Sequence, residues 1–63
     1  MNDDARESIK NACNGMNQIK NELQRAANNV ENNSIKTRIV DQLDSIDRCL
    51  KECEGISSGL SNQ

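Results

Sequence analysis

Three cysteines are the residues of this 63-residue sequence whose chemistry stands out. Cys49 and Cys53 lie four residues apart, and Cys13 lies far from both along the chain. If the close pair lies on a helix, its thiols project from adjacent turns, with about 5–6 Å between Cβ atoms. The spacing allows three interpretations: reduced thiols that pack as small apolar side chains, a disulfide from Cys13 to Cys49 or Cys53, and a zinc or copper(I) site formed by all three thiolates.

We favour the first of these interpretations. Cysteine is among the residues most often buried, thiols normally stay reduced in the cytosol, and the spacing is not that of a structural zinc site. We therefore predict no metal centre, and we keep Cys13, Cys49 and Cys53 only as alternative ligand candidates.

The composition excludes most catalytic chemistry. The chain has no histidine, which removes the commonest general base and metal ligand. Its three glycines form no phosphate-binding loop. The carboxylates between Asp41 and Glu54 have spacings that suit ion pairs along one helix, rather than an acid–base pair in a pocket. We expect a protein that is not an enzyme and that binds no cofactor.

The charge and hydropathy patterns also limit the partners. The net charge is −2 and aromatic residues are absent, so the sequence offers neither a basic patch nor stacking side chains for nucleic acid. No apolar run is long enough for a signal peptide or a membrane span. We expect a cytoplasmic protein that contacts neither nucleic acid nor membrane.

The first half of the chain predicts an amphipathic helix over residues 4–29, approximately. Asp4 and Glu7 have the spacing of a capping box at its start. Apolar residues then recur at alternating spacings of four and three residues, which is the heptad pattern of a packed helix. They are Ala5, Ile9, Ala12, Met16, Ile19, Leu23, Ala26 and Val30.

An asparagine-rich segment interrupts this pattern and predicts a turn near residues 30–33. A second helix is predicted over residues 34–56, approximately. Gly55 followed by Ile56 resembles a helix C-terminal stop, so we expect residues 57–63 to form a frayed tail. The apolar pattern of this helix consists of Ile39, Leu43, Ile46, Leu50 and Cys53.

Two helices joined by a short turn normally lie antiparallel. We therefore predict an all-α fold, an antiparallel two-helix hairpin of coiled-coil type. Its core follows from pairing the two apolar patterns across the turn. The predicted intramolecular core consists of Ile9, Ala12, Met16, Ile19, Leu23, Ile39, Leu43, Ile46, Leu50 and Cys53.

One hairpin of this length is too small to build a stable core on its own. A second apolar column on the second helix, Ile35, Cys49 and Ile56, with Val40 on the opposite flank, is wider than one partner helix needs. We predict that these four residues form an interface. The interface would lie within a homodimer that forms a four-helix bundle, or against the helices of a partner protein.

A resemblance to known proteins is carried by the segment Gln42-Leu43-Asp44-Ser45-Ile46-Asp47-Arg48-Cys49-Leu50. It looks like the second helix of short helical-hairpin proteins from spore-forming Firmicutes. The similarity extends over residues 23–54 and lies in the amphipathic pattern rather than in a signature motif. The cysteines are not part of that pattern, and the apolar, proline-containing C-terminal end of those proteins is missing here. The resemblance implies a small helical protein, cytosolic or spore-associated, without catalytic residues.

The patterns together predict a small non-catalytic interaction module, such as an adaptor, a regulator or an inhibitor, that self-associates or docks on a partner protein. The alternative is a thiol-based protein, metal-binding or redox-responsive, that uses Cys13, Cys49 and Cys53. The two functions differ in the role of the cysteines, which only pack in the first and carry the chemistry in the second.

Overall fold

The computed structural model describes residues 2–61, and within that range the chain forms two long helices. Helix α1 spans Asn2–Asn29 and helix α2 spans Asn33–Ser61. The helices pack side by side in opposite directions, so that the start of α1 meets the end of α2. The Cα atoms form a rod that extends 47 × 14 × 11 Å. The predicted all-α, two-helix hairpin is confirmed.

Residues 30–32 connect the helices, and Asn32 sets the start of α2. Its Oδ1 atom accepts a hydrogen bond of 3.0 Å from the backbone N–H of Ile35. This bond satisfies one of the free donors of the first helical turn. At the end of α1, the Val30 N–H donates to the Ala26 carbonyl at 2.9 Å. The connection is short because an asparagine cap begins the second helix at once.

Helix α1 begins two residues before the predicted start. Asp3 and Asp4 therefore lie in its first turn, where carboxylates interact favourably with the positive end of the helix dipole. Arg6 Nη1 contacts Asp3 Oδ1 at 3.1 Å along the same helix. The acidic pair belongs to the helix rather than preceding it.

Helix α2 ends later than predicted, because residues 57–61 continue it. Gly55 has no positive φ angle, so it extends the helix instead of forming a left-handed C-terminal turn. The last turn is attached to α1, since Arg6 Nε donates to the Leu60 carbonyl at 3.0 Å. The predicted frayed tail is wrong for residues 57–61, and residues 62 and 63 lie outside the described range.

The buried core is small and lies toward the end of the hairpin that is away from the turn. Leu50 and Cys53 of α2 are 7% and 5% exposed, and Cys13 of α1 packs with them. Ile9 and Met16 of α1 pack against this cluster and are half-buried. Cys53 Sγ lies 3.7 Å from the Ile9 carbonyl oxygen. Two of the three cysteines are therefore core residues.

The side of α1 that faces α2 differs from the prediction by one residue. Ala12 and Ile19, both predicted core residues, are exposed. The neighbouring column takes their place: Cys13 and Ala27 are buried, and Lys20 reaches across to α2 in an ion pair. The physical reason is that α1 carries apolar residues on three adjacent columns, and one partner helix can cover only two of them.

The other predicted core residues line the seam between the helices. Apart from the buried Leu50 and Cys53, they are half-buried, because each helix covers the contact from one side only and both edges of the contact stay open to solvent. These half-buried residues are Ile9, Met16, Leu23, Ile39, Leu43 and Ile46.

Candidate functional site

Cys13 and Cys53 form a disulfide that joins α1 to α2 inside the core. Their Cα atoms are 5.9 Å apart, and 40 positions separate them in the sequence. The bridge follows from the orientation of α1, in which Cys13 rather than Ala12 faces the second helix. Our favoured interpretation, with all thiols reduced, is wrong for this pair, and the alternative of a crosslink from Cys13 is the one observed.

Cys49 is the free cysteine of the described residues, and its side chain is exposed. It lies one helical turn before Cys53, on a neighbouring column outside the core. Because the disulfide uses two of the three sulfur atoms, a three-thiolate cluster cannot form in this state. Within residues 2–61, no group of three or more cysteine, aspartate or glutamate side chains has the arrangement of a metal site.

One side of the hairpin carries an apolar groove between the two helices, near the turn. Its volume is about 330 Å³, and its lining residues are Leu23, Ile35, Arg38, Ile39 and Gln42. A second depression adjoins it along α1 and shares one residue with it. This depression is lined by Gly15, Gln18, Ile19, Glu22 and Leu23. The two depressions form one continuous surface across both helices.

The helical repeat extends this surface along the rod, because residues seven positions apart lie on the same side of a packed helix. On α1 the column consists of Ala5, Ala12, Ile19 and Ala26, and on α2 it consists of Ile35, Gln42, Cys49 and Ile56. We call these two columns, with the half-buried Leu23 and Ile39 between them, the apolar face.

Large apolar side chains on this face are open to solvent. Ile19, Ile35 and Ile56 are 51%, 40% and 50% exposed. A single exposed isoleucine is ordinary on a protein surface, whereas several on one side mark a surface for association. The apolar face is therefore the candidate functional site of the molecule.

Among the side chains that the structure describes, the charged ones of the apolar face lie along its outer edges. Glu22 borders the depression on α1, and Arg38 borders the groove on α2. Glu52 lies on the same column as Arg38, two seven-residue repeats further along α2. A partner that covers the centre of the face would therefore bury few charges.

The opposite side of the hairpin, which we call the polar face, carries an ion pair between the helices. Lys20 Nζ lies 2.7 Å from Asp47 Oδ1. The hydrogen bond from Lys20 holds the pKa of Asp47 below its ordinary value. Burial has a smaller, opposing effect on this pKa, whereas the positive charges of Lys20 and Lys51 lower it further. The rest of this side near the chain ends is lined by Asp3, Arg6, Glu7, Lys10, Ser57 and Ser61.

The four residues of the predicted interface are all exposed, but they do not share one side. Ile35, Cys49 and Ile56 lie on the apolar face. Val40, which is 42% exposed, lies on the polar face, seven residues before Asp47. Sequence reasoning missed Ile19 as a surface residue, and the signal that could have found it is the presence of Cys13 and Ala27 on the neighbouring column of α1.

Comparisons of the chain with protein-family models, with curated proteins and with solved structures return no match. The resemblance to hairpin proteins of spore-forming Firmicutes therefore stays a prediction. Neither helix, over the residues that the structure describes, contains a stretch both long and apolar enough to cross a bilayer. The site is defined by its geometry, a disulfide in the core with an apolar face beside it.

Proposed function

We propose that the protein is a small non-catalytic interaction module that works through the apolar face. It self-associates, as a homodimer that forms a four-helix bundle, or it docks on the helices of a partner protein as an adaptor, regulator or inhibitor. The observation that carries the proposal is the difference between the two sides of the hairpin, with exposed isoleucines on one side and an ion pair between the helices on the other.

Burial of the apolar face would stabilise a complex through the hydrophobic effect. Complete burial of one isoleucine side chain contributes roughly 1.5–3 kcal/mol. Ile19, Ile35 and Ile56 have about half of that contribution still to gain, since they are 51%, 40% and 50% exposed. The charged side chains at the edges can stay hydrated, so the cost of desolvating them is small.

A pull-down from the native cell with a tagged protein tests this proposal. Ile35→Asp and Ile56→Asp place a charge on the apolar face, and Val40→Asp is the matched control because it places the same charge on the polar face. We expect the wild type and Val40→Asp to retain the same binding partner or untagged copies of the chain. The two isoleucine variants should lose it while their helical circular dichroism is kept. Equal retention by all four proteins would refute the proposal.

The disulfide favours a second candidate function, a redox-responsive protein. A disulfide persists in oxidising compartments and is opened in the reducing cytosol. A cellular dithiol or two glutathione molecules would reduce the bridge to the thiols of Cys13 and Cys53 and become a disulfide in turn, with two electrons and two protons transferred. The link between α1 and α2 in the core would then be lost.

Thiol alkylation distinguishes the two candidate functions. Protein from untreated cells, trapped with an alkylating reagent, carries one alkyl group on Cys49 if the bridge is closed. A redox-responsive protein would shift to three alkyl groups when the cells are reduced, and would return to one after oxidation. A closed bridge under every cellular condition would make the disulfide a structural link and exclude the redox role.

A further inference from the structure

The occupant of the apolar face can be specified further, on the basis of the function proposed above. We propose that it is a second copy of this chain, related by a two-fold axis parallel to the helices, so that α1 of each copy lies over α2 of the other. All neighbouring helices in the resulting four-helix bundle are antiparallel, and the interface is the same surface on both copies.

The size of the apolar face fits a dimer of this kind. The rod is 47 Å long and 14 Å wide between Cα atoms, so the flat area of its broad side is on the order of 700 Å². Because accessible surface exceeds flat area, this side is large enough to supply the roughly 800 Å² per partner of a stable interface. A second copy has the same length, and it covers the whole face rather than one of its grooves.

The distribution of large and small residues favours α1 over α2. The disulfide sets residue 13 level with residue 53, and a two-fold axis parallel to the helices keeps these heights in the second copy. At these heights Ile56 lies within two positions, or about 3 Å, of Ser8 of the second copy, Cys49 within two positions of Gly15, and Ile19 within two positions of Ser45. Each of these contacts sets a larger side chain against a small one, as interdigitated packing requires.

The other face-to-face arrangement, with α1 over α1 and α2 over α2, lacks this match. It sets the column of Ala5, Ala12, Ile19 and Ala26 against a copy of itself, where three of the four side chains are alanines and leave voids when they meet one another. It also places the α2 column that carries Ile35 and Ile56 against the same column of the second copy, so that large side chains meet large ones. The α1-over-α2 arrangement therefore fits this surface better.

The charges of the apolar face are consistent with a second copy and disfavour a strongly charged partner. Glu22, Arg38 and Glu52 lie on its outer edges and include both signs. A nucleic acid or a highly basic or acidic peptide would find no complementary field there. Glu22 shares a column with Ser8 and Gly15, and Arg38 and Glu52 share one with Ser45, so a second copy brings both signs to the borders of the contact, where the ends of long side chains can reach solvent.

Cysteine crosslinking of the purified protein tests the arrangement. Gly15 is suitable for substitution because a Cβ atom there meets nothing within 4 Å. In our arrangement, the thiol of Gly15→Cys lies near Cys49 of the second copy, whereas within one chain Gly15 lies at the outer edge of α1, away from the column of Cys49 on α2. We expect Gly15→Cys to give a covalent dimer under mild oxidation. Asn17→Cys is the matched control, because Asn17 is exposed at a similar height on the polar side of α1.

Sedimentation velocity of the same preparations completes the test. The wild type should sediment as a dimer at micromolar concentration, with little covalent dimer formed through Cys49 alone. A monomeric wild type would overturn this inference. It would not decide the proposed docking on a partner protein, which the cellular pull-down tests. A covalent Cys49–Cys49 dimer in the wild type, or equal crosslinking of Gly15→Cys and Asn17→Cys, would overturn the α1-over-α2 arrangement.

Discussion

Cys13 and Cys53 contribute to this molecule both as core side chains and as a covalent link between its helices. The sequence presented the link as one of three alternatives and could not select it, because residue types and spacings do not record the oxidation state of a thiol. The assignment of α1 columns also placed Ala12, rather than Cys13, in the core. Alanine is a weak guide for such an assignment, because its small side chain buries little apolar area on either side of the helix.

Removal of the bridge is predicted to destabilise the hairpin strongly. The cysteines are 40 positions apart, and closing a loop of that length in the unfolded chain is worth about 3–4 kcal/mol. The double variant Cys13→Ala/Cys53→Ala should lose at least this much free energy of unfolding in urea, followed by circular dichroism. Cys49→Ala, the control at an exposed thiol, should change it by less than about 0.5 kcal/mol. Equal effects of the two variants would show that the bridge has no structural role.

The ion pair of Lys20 and Asp47 predicts a dependence of stability on pH. The pKa of Asp47 is lowered in the folded state by the hydrogen bond from Lys20, so the folded state holds this carboxylate ionised more strongly than the unfolded chain does. The contribution is complete above the ordinary carboxyl pKa of about 4 and is lost as the pH falls through the lowered value.

Urea titrations at a series of acidic pH values measure this effect. Asp47→Asn should flatten the fall in unfolding free energy below pH 4, approximately. Lys20→Gln, which removes the ammonium group of the pair but keeps the carboxylate, should flatten the same part of the profile. A profile of Asp47→Asn that is identical to the wild type would show that the ion pair does not contribute in solution.

The two helices were predictable as elements, but the end of the second was not. Heptad spacing predicted both helices, and the asparagine-rich segment predicted the turn, because both signals lie in the local sequence. The end of α2 depends on a contact distant in sequence, the hydrogen bond from Arg6 to the Leu60 carbonyl. Gly55 has the residue type of a helix stop, and the packing of α2 on α1 overrides that preference.

Gly55→Ala tests whether α2 continues through this position. A glycine inside a helix costs about 1 kcal/mol relative to alanine, and a Cβ atom at Gly55 meets nothing within 4 Å. The substitution should therefore raise the free energy of unfolding by about 0.5–1 kcal/mol, measured by thermal or urea denaturation. A loss of stability of similar size would instead indicate a left-handed turn at this residue, and a helix that ends there.

At the scale of the whole molecule, the two sides of the hairpin have different roles. Sequence reasoning placed Ile35, Cys49 and Ile56 correctly on one column, because their spacing decides it. It assigned Ile19 to the core, because the column of Ile9 and Met16 has neighbours with apolar residues on both sides, and local spacing does not decide which neighbour faces α2. The resulting apolar face spans both helices, and neither helix alone shows it.

Ile19→Asp, compared with Val40→Asp, is the most direct test of the claim that this face is the working surface. Circular dichroism and sedimentation velocity should be recorded on both variants and on the wild type. We predict that Ile19→Asp keeps the helical signal of the wild type and loses association, and that Val40→Asp keeps both. A loss of helical structure in Ile19→Asp would show that Ile19 belongs to the core. Unchanged association would show that the apolar face is not the binding surface. Either result would contradict the account.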